Sequence, residues 1–188
     1  GLQIADNSAL TSIAGLRGLT GDLPGMLNVR GNPLLPNLDG LEGLTGITGA
    51  SDGGYSLEIN DNAALTSVNG LRGLNGTLPG LLSVSKNPQL LTLDGLEGIT
   101  GITGASSGGY SLQIYDNAAL TSVGGLRGLA GDLPGRLTVH KNPQLLNLDG
   151  LEGITGITGA SDGGFSLQIY DNAALTSISG LQGLTGAL

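Results

Sequence analysis

The hydrophobic positions of this chain follow a fixed cycle, L-x-[IV]-x-x-N-x-x-L-x-x-[LIV]-x-G-L-x-G-[LI]. It starts at Leu2, Leu27, Leu57, Leu82, Leu112, Leu137 and Leu167, in steps that alternate between 25 and 30 residues. Its six apolar columns hold 42 positions over seven cycles, and every one is Leu, Ile or Val. The fifth cycle shows the set: Leu112, Ile114, Leu120, Val123, Leu126 and Leu129. A repeat this regular decides the architecture before any single element does. In L-x-[IV] two apolar side chains share one face of an extended segment, the strand period of two. The later apolar residues come every third position, within G-L-x-G-L. A helix there would carry two glycines, each costing ~1 kcal/mol relative to alanine. Tight corners with positive φ suit them better. The pattern predicts an all-β fold of short parallel strands stacked coil on coil, with little or no helix. The chain reads as a single repeat array over residues 1–188, seven coils excerpted from a longer array without caps.

A second column is polar throughout: Asn7, Asn32, Asn62, Asn87, Asn117, Asn142 and Asn172. A polar residue just after every strand has a mechanical use. Its amide satisfies turn backbone groups of its own coil and the next, as buried polar groups require.

The variable columns then face solvent. One alternates in charge, Arg17, Glu42, Arg72, Glu97, Arg127 and Glu152, and ends on Gln182. Another precedes the Asn column: Asp6, Gly31, Asp61, Lys86, Asp116, Lys141 and Asp171. Stacked strands sit about 4.8 Å apart, so alternation places opposite charges side by side. Exposed pairs contribute only ~0–1 kcal/mol each, so these columns are expected to set register and solubility. Asp39, Asp94 and Asp149 recur every second coil, about 9–10 Å apart by the same spacing. That is too far to share one cation. The strings GASDGGY carry Asp52 and Asp162, but the middle copy has Ser107 there. These acids are expected to solvate the surface.

Tyr55, Tyr110 and Phe165 close the extra residues of the longer coils and are expected to anchor a packed bulge. Tyr115 and Tyr170 follow a strand Ile and should face outward beside His140, an exposed aromatic–histidine strip and a candidate binding face, for instance for sugar rings.

At these residues the chain resembles a known class. L-x-[IV]-x-x-N-x-x-L is similar to the leucine-rich repeat, though that repeat has N-x-L. The strings SLQIYDNAALTSVGGLRGL and LTVHKNPQLLNLDGLEGI more closely resemble the receptor L-domain, the solenoid of insulin and epidermal growth factor receptor ectodomains and of fungal wall proteins. LTGDLPG, LNGTLPG and LAGDLPG resemble the L-x-G-x-[IL]-P of plant-type leucine-rich repeats. The resemblance covers the whole chain. It implies a right-handed parallel β-solenoid, extracellular or at the cell surface, and brings no catalytic residues. The chain departs from it in lacking cysteine caps and in having far more uniform coils.

Composition narrows the function. Glycine is 36 of 188 residues, charged residues are 12 %, and there is one histidine and no cysteine. Disulfide frameworks and cysteine- or histidine-cluster metal sites are thereby excluded. The net charge of −8 disfavours nucleic acid. No apolar run is long enough for a membrane span. A nucleophile needs a base and an orienting group in reach, and the one histidine has Arg30 and Ser85 at its equivalent positions. No phosphate-loop motif opens a helix. The expectation is a non-enzymatic, cofactor-free structural or adhesive solenoid making protein–protein contacts. Its partners would be further repeats or surface and matrix proteins, with glycans as a further class. A ligand-binding receptor-like ectodomain is the alternative. Ice binding through Thr11, Thr66, Thr121 and Thr176 is weaker, because the intervening coils carry Pro36, Leu91 and Leu146. Asn75-Gly76-Thr77 is a glycan acceptor motif for a secreted chain.

Overall fold

The computed structural model describes residues 1–160 and 164–186. Its strands are short. In chain order they are β1 (Leu2–Ala5), β2 (Gly21–Leu23), β3 (Leu27–Arg30), β4 (Leu44–Ile47), β5 (Tyr55–Asn60), β6 (Gly76–Leu78) and β7 (Leu81–Ser85). After these come β8 (Ile99–Ile102), β9 (Tyr110–Tyr115), β10 (Ala130–Leu133), β11 (Arg136–His140), β12 (Gly153–Ile157) and β13 (Leu167–Tyr170). The odd-numbered strands form one seven-stranded parallel sheet in the order β1-β3-β5-β7-β9-β11-β13. Register follows the repeat: Leu2 faces Leu27, Leu27 faces Leu57, Leu57 faces Leu82, and so on to Leu137 facing Leu167. Each 25- or 30-residue step therefore returns the chain to the neighbouring strand.

The five interior cycles bury all their apolar columns. Leu27, Val29, Leu35, Leu38, Leu41 and Leu44 are fully buried, and no interior column residue is more than 2 % exposed. Burying such side chains contributes ~1.5–3 kcal/mol each. The first and last cycles are only partly covered, through Leu2, Ile4 and Leu10 at one end and Leu167, Ile169 and Leu175 at the other.

The even-numbered strands pair as β2-β4, β6-β8 and β10-β12, all parallel. They bring Leu23 beside Ile47, Leu78 beside Ile102, and Leu133 beside Ile157, all buried. This seventh apolar column lies outside the six-column cycle. It comes from G-x-L-P in one cycle and T-G-I in the next, at unequal distances from the strand leucine.

The three-residue apolar spacing has a direct cause. Ala14–Leu16, Asn69–Leu71, Gly124–Leu126 and Ser179–Leu181 are 3₁₀ turns. The 30-residue units use the same turn bond, Leu41 N–H to Leu38 O and Leu44 N–H to Leu41 O. With three residues per turn, positions i and i+3 eclipse and point to one side. There is no α-helix among the described residues.

The glycines of this motif divide into two kinds, which corrects the reading that all of them supply positive φ. Gly40, Gly95 and Gly150 do, at 120°, 109° and 111°. Gly70, Gly125 and Gly180 have ordinary φ. A Cβ on them would run into the backbone carbonyls of Leu38, Leu93 and Leu148 in the neighbouring unit. Close backbone approach is what these three positions require.

The asparagine ladder and the outward sheet face

The Asn column follows the sheet and joins its strands through side chains. Asn32, Asn62, Asn87, Asn117 and Asn142 are fully buried. Each interior amide nitrogen donates to two strand carbonyls: for Asn87 these are Ser85 O and Ile59 O, both at 2.9 Å. Each Oδ1 accepts the backbone N–H of the preceding rung: Asn32 N to Asn62 Oδ1 at 3.2 Å, Asn62 N to Asn87 Oδ1 at 3.1 Å, Asn87 N to Asn117 Oδ1 at 3.1 Å. Side-chain amides also bond rung to rung from Asn7 to Asn172, at 2.9 to 3.4 Å. The ladder is directional. Donors point toward the higher-numbered rung and acceptors back.

The residue before each rung explains the turn that presents it. Asp6, Asp61, Lys86, Asp116, Lys141 and Asp171 have φ between 53° and 59°, and Gly31 has 62°. The alternating charge of this column is secondary; it is first a left-handed backbone position. Gly31 in its second member is the signal for that conformation, which glycine enters freely and other residues at ~1–2 kcal/mol.

Both charge columns pair less than alternation predicts. Among the described residues, two ion pairs form. Arg30 meets Asp6 at 3.3 Å, both exposed, and the exposed Arg127 meets the half-buried Glu97 at 3.5 Å. The glutamates are engaged locally instead: Glu42, Glu97 and Glu152 each accept the N–H two residues before them, Gly40, Gly95 and Gly150, at 2.8 Å. Hydrogen bonds from its own N–H and from Gly40 hold the Glu42 carboxyl below its usual range. Arg72 and Arg17 add less than these. The Glu column therefore closes a corner, and side-by-side charge is its lesser effect.

Tyr115, His140 and Tyr170 are brought together by register, since His140 faces both Tyr115 and Tyr170. The rings stack face on face. Centroids lie 4.9 Å and 4.5 Å apart, with planes within 8° and 6°. Tyr115 and His140 are half-buried, and Tyr170 is 45 % exposed. The strip is thus not the open one expected, because stacked strands about 4.8 Å apart bring flat side chains to van der Waals contact. It shows ring edges to solvent. Burial pushes the His140 imidazole below its ordinary range and Lys141 adds to this, while Asp116 and Asp171 oppose it. The unfolded chain then takes up this proton at a higher pH than the folded chain. Stability is expected to fall as pH drops through the ordinary histidine range toward the lowered folded pKa. As the chain has one histidine, the ring resonances of His140 check this directly. A titration at or above the free-imidazole range would contradict it.

Sequence reasoning missed Arg136 and Thr138, which share the outward face of β11 with His140. Arg136 lies 3.7 Å over the Tyr110 ring and donates to Gly108 O. Tyr55 and Tyr110 are half-buried and each closes its loop through a serine, Ser51 Oγ and Ser106 Oγ accepting their N–H at 3.2 Å. Phe165 is 57 % exposed. Asp39, Asp52, Asp94 and Asp149 are exposed, and Asp162 lies outside the described residues. No cluster of three or more metal-ligating side chains occurs among the described residues, and no helix there is long and apolar enough to cross a membrane. Thr66, Thr121 and Thr176 donate their hydroxyls to the carbonyls of Pro36, Leu91 and Leu146. Asn75 is exposed. No family model matches the chain, and neither the curated proteins nor the solved structures include a match to it.

Proposed function

We propose that the chain is a right-handed parallel β-solenoid of seven coils, of the leucine-rich-repeat and receptor L-domain kind. In this reading it serves as a non-enzymatic, extracellular structural or adhesive element that binds other protein. One observation carries the proposal: the repeat units stack in register on one parallel sheet and one Asn ladder, an arrangement that any further unit of the same pattern, in this chain or another, extends at β1 or β13. Among the described residues β1 pairs only with β3, and β13 only with β11. Both edges carry the same half-covered apolar columns. A cleft lined by Ile4, Leu10, Ile13 and Leu16 opens at the first, and Ile178 is 55 % exposed at the other. Unpaired strand backbone beside exposed apolar surface is a template for further strands. The Asn ladder supports the same contact, because Asn7 Oδ1 stands as an acceptor at one end and Asn172 presents donors at the other.

Sedimentation should show concentration-dependent association, and electron microscopy should show the particles joined through their ends. In a head-to-tail junction Asp171 would meet Asp6 and Arg17 would meet Gln182 in place of a glutamate. Added salt should therefore strengthen the association rather than weaken it. A chain that stays monomeric at high concentration, whatever the salt, would remove this reading.

A second reading, a ligand-binding ectodomain using the face around Tyr115, His140 and Tyr170, is favoured by the ring stack. Those three rings occupy a column held elsewhere by Ala5, Arg30, Asn60 and Ser85.

A further inference from the structure

We infer that the outward face of β9, β11 and β13 binds a neutral, linear oligosaccharide laid along β11. The inference rests on the second reading above and gives it a ligand class. Two complete copies of the repeat, residues 55–109 and 110–164, differ at ten positions. Five of those differences fall on the positions of the long sheet that point away from the apolar core: Glu58 and Gln113, Asn60 and Tyr115, Leu81 and Arg136, Ser83 and Thr138, Ser85 and His140. The outward face has one more position per copy, the unchanged Tyr55 and Tyr110. Inward columns and ladder are identical between the copies, so packing does not drive the change. Half of the divergence thus falls on one side of one sheet, and the other half on turns and on β6 and β10.

The divergence has a chemical direction. On the long sheet it replaces the one outward carboxylate, Glu58, by Gln113, and the third copy carries Gln168 at that place. The outward positions of β9, β11 and β13 then hold amides, phenols, a hydroxyl, an imidazole and one guanidinium already seated on Tyr110. No aliphatic side chain is among them. A protein partner wants a desolvated pocket for an apolar anchor, and this face offers none.

The floor of the face is β11. Arg136 Nε, Thr138 Oγ1 and His140 Nδ1 are buried without a hydrogen-bond partner, and Asn28 Oδ1 is the one other such atom among the described residues. All three project from one side of one strand, two residues apart, or about 6.6 Å at the strand rise. Thr138 is 2 % exposed. The side chains of Gln113 and Gln168 flank it in register and make no hydrogen bond of their own among the described residues. A rotamer change in either glutamine uncovers the middle of the row, at Thr138 Oγ1. Its guanidinium N–H, its hydroxyl and its imidazole nitrogen match successive sugar hydroxyls, which both donate and accept. The rings of Tyr115 and Tyr170, fixed by stacking on His140, wall one end.

The test uses a variant that the fold already accommodates. Gln113→Glu, Tyr115→Asn, Arg136→Leu, Thr138→Ser and His140→Ser together install the residues of the preceding copy. Calorimetry against cello-, laminari- and manno-oligosaccharides, with a polyuronate and a set of extended peptides as controls, should find a neutral glycan bound by the native chain. Its affinity should fall by about tenfold or more in the variant, as lost hydrogen bonds to buried groups require. Neutral glycan binding that is absent, or unchanged in the variant, overturns the proposal. If a peptide or the polyuronate binds instead and is lost in the variant, the ligand class falls and the binding face stands. If no probe responds to the five changes, both fall.

Discussion

Asn117→Ala is expected to cost about 1–3 kcal/mol of stability, because it leaves the buried Asn87 backbone N–H without its acceptor. Asn117 Oδ1 accepts the Asn87 backbone N–H at 3.1 Å and the Asn87 amide at 3.4 Å. Its own amide serves Val84 O and Tyr115 O, both at 3.1 Å, and Asn142 Oδ1 at 3.3 Å. The site is fully buried, so water does not replace what alanine removes. Asn7→Ala makes the same chemical change at the exposed first rung, where only Asn32 Oδ1 receives its donors. It is expected to cost about 0.5–1.5 kcal/mol, an ordinary net hydrogen bond. Urea melts of the two variants give the comparison. Hydrogen exchange localises it, which matters because long repeat arrays lose two-state behaviour. Equal, small effects would place the column in contact with water.

The strand leucines and the inward columns were legible in the sequence for a simple reason. An apolar column that stacks on itself must be apolar in every unit, so the six columns announce themselves without any knowledge of the turns. The sheet register then follows, since Leu112 can sit only between Leu82 and Leu137 if every column stays aligned. What the columns do not encode is backbone conformation between them. Asp6, Asp61 and Asp116 look like surface acids, and their left-handed φ shows only through the glycine that takes their place at position 31. The glutamates of D-G-L-E-G look like partners for arginine, yet Glu42 accepts the Gly40 N–H of its own corner at 2.8 Å. Local backbone donors outcompete a flexible, hydrated side chain on the next unit, which is why a pattern of alternating charge overstated the pairing.

The candidate face was half legible. Column alternation on a strand placed Tyr115, His140 and Tyr170 together and pointed them outward. It could not show that rings on adjacent strands would close on one another's faces, because that depends on the strand spacing and not on residue order. Arg136 and Thr138 stayed hidden. Leu81 and Ser83 hold the same places one copy earlier, so each residue looks incidental when read alone.

Adjacent glycines give the sharpest test of the packing. Gly125→Ala is expected to destabilise by about 3 kcal/mol, at the upper end of what an overpacked core costs, while Gly124→Ala should be neutral or slightly stabilising. A Cβ added at Gly125 would overlap the Leu93 carbonyl, with the Asp94 nitrogen only 2.7 Å away. Backbone on the neighbouring unit cannot swing aside as a side chain does. The units must part, opening the fully buried contacts of Leu93 and Leu126. At Gly124 the nearest atom to an added Cβ is the Ser122 hydroxyl, 3.1 Å away. Ala14, Asn69 and Ser179 occupy the equivalent place in other units. Alanine there removes backbone freedom from the unfolded chain, worth about 0.4–1 kcal/mol. Urea midpoints for the two variants should therefore move in opposite directions, or one should stay put while the other falls. Similar midpoints would mean that neighbouring units do not approach as closely at Gly125 as the Leu93 carbonyl contact requires.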